Sequence, residues 1–75
     1  MTYDQDIDAT GLLCPLPVLK VAKRMRMMAP GEHLRLRADD PAAIVDVPHY
    51  CQESGNELVS ATETGSIQTY VIKRT

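Results

Sequence analysis

The sequence predicts an α/β two-layer fold in the order β-α-β-α-β-β, a mixed four-stranded sheet with two helices packed on one face. Three observations carry this. Apolar residues alternate strictly over His33–Ala38, they follow helical spacing from Pro15 to about Ala29, and two more alternating runs flank Thr64-Gly65-Ser66 as in an antiparallel hairpin. A strand, helix and strand in succession favour a right-handed parallel crossover, which makes the first two strands parallel.

The first strand opens the chain. Tyr3, Ile7 and Ala9 fall on odd positions with Asp4, Asp6 and Asp8 between them, and Thr10-Gly11 ends it. The helix from Pro15 presents Val18, Val21, Ala22, Met25, Met28 and Ala29 to the core, while Lys20, Lys23 and Arg24 face away. Pro15 and Pro17 fit its first turn, where an N–H has no intrahelical partner to lose. Pro30-Gly31 stops the helix, and Leu34, Leu36 and Ala38 of the second strand point inward. Residues 42–54 read as helical but contain Pro48, which predicts a turn near Pro41 and a main helix only from about Asp46 or Val47. Gly55-Asn56 terminates it. Strands of about 57–63 and 67–74 complete the sheet, and Arg35, Arg37, Gln68 and Lys73 are expected on its solvated face.

A chain of 75 residues is one domain, residues 1–75, with a small core. Its two cysteines make no disulfide framework, and the polar, acidic start Met1-Thr2-Tyr3-Asp4-Gln5-Asp6 lacks the basic and apolar regions of a secretion signal. No apolar run approaches a membrane span. A cytoplasmic protein is expected. A net charge of −2, with three Tyr and neither Phe nor Trp, argues against nucleic-acid binding by general basicity and base stacking.

Cys14 is the candidate reactive residue. It stands at the predicted helix start, where unpaired N–H groups and the positive end of the helix dipole favour a thiolate and predict a pKa below the usual value of about 8.5. Pro15 and Pro17 fix the corner. Leu12, Leu13 and Leu16 are apolar where a polar loop would be expected, and form either a docking rim or a staple closing the helix entry. Lys20, Lys23, Arg24 and Arg26, with Met27 among them, form either a solvated face or an electrostatic docking surface. Cys51, beside Val47 and Tyr50, reads as a core residue, and His33, His49 and Cys51 match no closed zinc spacing. No metal or cofactor is expected. The residues alone leave three readings open: a covalent thiol carrier, an RNA- or protein-binding module acting through the basic helix, and a redox protein cycling Cys14 and Cys51.

The run Ile7-Asp8-Ala9-Thr10-Gly11-Leu12-Leu13-Cys14-Pro15-Leu16-Pro17 resembles the Cys-Pro-X-Pro signature of the TusA/SirA family of small sulfur carriers. A second block, Asp40-Pro41 through Asp46-Val47-Pro48 to Cys51 and then Gly55-Asn56-Glu57-Leu58, is similar to that family's second-helix region. The resemblance covers nearly the whole chain. It implies a two-layer sandwich and a persulfide carried on Cys14. It also implies a cysteine desulfurase or rhodanese-type donor and a downstream sulfur-acceptor protein. Leu16 occupies the variable position, where members resembling tRNA-thiolation carriers often hold Glu, and Asn56 stands where many relatives have His.

Overall fold

The computed structural model describes residues 3–75; Met1 and Thr2, the start of the polar N-terminal stretch, lie outside the described residues. Its elements are β1 (Gln5–Asp8), α1 (Leu16–Met25), β2 (His33–Ala38), α2 (Ala43–Ser54), β3 (Glu57–Thr64) and β4 (Ile67–Lys73). The sheet runs β1-β2-β4-β3, with β1 parallel to β2 and the other neighbours antiparallel. The expected order and mixed sheet are present.

Pleating decides which residues meet. Ile7 pairs with Leu36, Leu34 with Ile72 and Leu36 with Tyr70, so these side chains share one face. They form a single buried cluster with Val21 and Met25 of α1 and Ala43, Val47 and Cys51 of α2. Both helices therefore cover the same face. On the opposite face the acidic alternation of β1 finds its partners: Arg35 grips Asp6 through two hydrogen bonds of 3.0 and 2.7 Å, and Arg37 lies 4.0 Å from Asp8. The Arg35 guanidinium also sits 4.4 Å from the centre of the Tyr3 ring.

Three sequence expectations are corrected. Helix α1 ends at Met25 rather than near Ala29, because the chain tightens into bonds from Met27 N–H to Arg24 O and Met28 N–H to Met25 O. Ala29 precedes Pro30 and is steered away from helical torsions, while the tightened turn still delivers Met28 to the core. Helix α2 begins at Ala43, several residues before the expected start, and keeps Pro48 inside it. The Ile44 carbonyl loses its helical donor to Pro48, but both residues lie on the exposed side, where water can take the bond. Gln68 is on the core face and only 3% exposed, since it shares the parity of Tyr70 and Ile72. Asn56, which follows the left-handed cap Gly55, is buried and accepts the Thr75 N–H at 3.2 Å.

Candidate functional site

Two strand-to-helix corners meet at the ends of the parallel strands. In the corner after β1, Gly11 has φ +82°, a left-handed conformation that side chains resist, and its N–H reaches Asp39 Oδ1 at 2.9 Å. The Cys14 N–H then donates to Asp40 Oδ2 at 2.6 Å. Asp40 is itself fixed in the corner after β2. Its Oδ1 accepts the Ala42 N–H at 3.1 Å, and its main-chain carbonyl accepts Gln68 Nε2 at 3.0 Å. Gln68 Oε1 in turn accepts the Tyr70 hydroxyl at 2.7 Å. A chain of bonds thus runs from the sheet interior to the backbone of the reactive cysteine. The two amide bonds hold the Asp40 carboxyl below the usual carboxylate range.

The Cys14 side chain is exposed, and its S–H donates to Asp46 Oδ2 in the first turns of α2. This reverses the expected electrostatics. The hydrogen bond to Asp46 pushes the thiol above its ordinary value, with smaller contributions from partial desolvation and from the charges of Asp46 and Asp40. The helix terminus does not offset this, for two local reasons. Pro15 is the N-cap and Pro17 lies in the first turn, so two of the expected donors are missing. The Leu16 N–H is spent on Leu13 O at 2.9 Å.

The sulfur borders an open trough of about 340 Å³ between the start of α1 and the face of α2, lined by Pro15, Val18, Asp46, His49, Tyr50 and Glu53. Pro17 is buried beneath the corner, while Leu13 is 70% exposed and Leu16 half-exposed beside it. The predicted cations lie elsewhere. Lys20, Lys23, Arg24 and Met27 line a second groove, of about 450 Å³, against Asp6, Ile7 and Asp8 of the edge strand. Arg24 is partly engaged there, donating to Gln5 Oε1 at 2.7 Å. Leu16, Leu19, Lys20 and Lys23 share the exposed side of α1 at helical spacing and Met27 is exposed in the turn that follows, so an apolar and basic stripe descends from the thiol corner.

Cys51 packs in the core with its thiol pushed up by burial, and both cysteines are free. Among the described residues, no three His, Cys, Asp or Glu side chains converge as metal ligands. Asp40, Asp46 and Leu19 were not identified from the sequence. Asp46 lies 32 residues from Cys14 in the chain, and only the crossover topology joins them. A signal existed for Leu19, three residues after Leu16 on the same helix face.

An open α/β domain with one exposed thiol at a Cys-Pro-X-Pro corner, its other cysteine buried in the core, defines a class of small thiol-presenting domains. The family described as Sulfurtransferase TusA matches residues 5–74, and the chain belongs to it. The sulfur carrier protein TusA of Allochromatium vinosum is 38% identical over 72 residues, covering 96% of this chain and 95% of that protein. The crystal structure of a SirA-like protein from Desulfitobacterium hafniense has the same fold, with a TM-score of 0.84 at 19% identity over 93% of this chain and 96% of its own. Within the described residues, no helix is long and apolar enough to cross a membrane.

Proposed function

We propose that the chain is a sulfur carrier in a sulfur relay, and that Cys14 holds the sulfur as a persulfide. The supporting observation is the accessible Cys14 sulfur at the Cys-Pro-X-Pro corner of a chain 38% identical to a sulfur carrier over nearly its whole length. The chemistry is thiol exchange. Cys14 attacks the outer sulfur of a donor persulfide, and an acceptor thiolate later attacks the same sulfur on Cys14. Pro15 and Pro17 position the corner. Leu13, Leu16, Lys20, Lys23, Arg24 and Met27 form the docking surface for partner proteins, a cysteine desulfurase or rhodanese-type donor and a downstream acceptor with a thiol. The exposed Leu13 and Met27, at 70% and 72%, support this assignment, because apolar side chains gain from a partner what they lack in solvent.

The test is intact-mass measurement after incubation with a persulfide donor. One added sulfur, removed by a reductant and absent from Cys14→Ser, is the expected result. An equal adduct on Cys14→Ser, or none on the wild type with several donors, would refute the reading. For the docking surface, Lys20→Glu combined with Lys23→Glu should slow loading from a donor protein while leaving loading from a small persulfide unchanged. Equal loading from both would remove the cations from the interface.

A further inference from the structure

Loading and unloading are one bond change run in opposite directions. In loading, Cys14 is the nucleophile and must lose a proton; in unloading it is the leaving group and must regain one. Two carboxylates make this thiolate costly at both stages. Asp46 accepts the S–H hydrogen bond, and Asp40 holds the cysteine N–H. The other charged groups along the trough are His49 and Glu53, which pair with each other at 3.5 Å, and the α1 wall beside the sulfur contributes only Pro15, Pro17 and Val18. Asp39 is occupied by the Gly11 N–H. The thiol proton therefore has one hydrogen-bonded acceptor at hand.

We infer that Asp46 is a catalytic residue of the sulfur exchange, taking the proton from the attacking sulfur and passing it to the leaving one. The inference rests on the carrier reading above. In loading, the proton passes from Sγ to Asp46 Oδ2 while a Cys14 Sγ–sulfur bond forms to the outer sulfur of the donor. The donor's own sulfur–sulfur bond breaks, and its thiolate leaves with that electron pair and takes up the proton from Asp46. The net change is donor persulfide plus Cys14 thiol to donor thiol plus Cys14 persulfide, with no net oxidation. Unloading reverses the roles: the acceptor thiol gives its proton to Asp46 as its sulfur attacks the outer sulfur, and Cys14 departs as a thiol with that proton. A carboxylate that merely repelled the thiolate would slow every reaction of Cys14 alike. One that relays the proton slows alkylation but assists exchange, because only exchange also requires protonation of the leaving sulfur.

The two roles are separated by comparing reactions on the same protein. In Asp46→Asn, alkylation of Cys14 by iodoacetamide at pH 7 should rise several-fold as the thiolate is released. Exchange with cysteine persulfide, followed by intact mass, should fall about 100-fold, the low end of general acid–base contributions. A rise in both rates, or exchange within threefold of wild type, overturns the inference. The wild type gives a second measurement that needs no variant. Between pH 6 and 8 its alkylation should climb about tenfold per unit, as for any group below its pKa, while its exchange, corrected for the donor's reaction with free cysteine, stays nearly flat. Exchange that tracks alkylation overturns the proton role. Failure of the wild type to take up any sulfur would instead refute the carrier reading, and the proton role with it.

Discussion

Gln68 joins the sheet interior to the reactive corner, so its removal should be felt in both. Gln68→Ala takes away the acceptor for the Tyr70 hydroxyl, bonded at 2.7 Å, and the donor to the Asp40 carbonyl at 3.0 Å. Tyr70 is 3% exposed and cannot turn to water, and an unsatisfied buried hydroxyl costs roughly 1–3 kcal/mol. The one buried methylene that alanine lacks, Cγ, adds about 0.8 kcal/mol. The sum is about 3 kcal/mol, which for a domain of this size lowers Tm by roughly 12–24 °C. Urea and thermal unfolding followed by circular dichroism measure it. The double variant with Tyr70→Phe should recover about 1 kcal/mol, since the orphaned hydroxyl is then gone. Hydrogen exchange at the Cys14 amide should quicken in Gln68→Ala, because Asp40 has lost its anchor. A cost below about 0.5 kcal/mol with unchanged Cys14 exchange would refute the idea that this buried chain holds the corner.

The pH dependence of stability should have two limbs. Cys14, Cys51 and Tyr70 have raised pKa values in the folded state, so their contribution is complete below the unfolded values, from about pH 8.5, and is lost as pH rises through the folded ones. Asp6, Asp8 and Asp40 have lowered values, so theirs is complete above about pH 4 and is lost as pH falls through the folded ones. Urea midpoints across pH should fall at both ends, and Cys51→Ala should flatten the alkaline limb alone. Pro48→Ala should stabilise α2 by about 2 kcal/mol, from roughly 3 kcal/mol of helix propensity less up to about 1 kcal/mol of entropy returned to the unfolded chain. A lower Tm in that variant would show that the helix needs the proline's distortion.

How much was legible in the sequence follows the range of each interaction. The strict alternation of His33–Ala38 defines β2 with no tertiary information, and its observed ends agree. The ends of the helices were harder, because Pro48 is a strong local stop that burial of Val47 and Cys51 overrides. Gln68 was misplaced by its polarity, although its parity with Tyr70 and Ile72 was available. Cys14 and its prolines were readable as a motif, whereas its carboxylate neighbours depended on a contact across the crossover. The direction of the thiol shift is partly legible in the sequence, since the prolines that mark the helix start are also residues without an N–H to offer an anion.

The four-residue edge strand β1 has a consequence of its own. It is held by one neighbour, and the chain that follows it carries the thiol to Asp40 and Asp46. A slip of β1 by one residue along β2 would displace that chain by about 3.3 Å and turn Ile7 to the solvent side. The sulfur would leave both carboxylates together. Cys14 alkylation rates measured under native conditions would therefore gauge how often the sheet's edge lets go, well below the denaturant needed to unfold the domain.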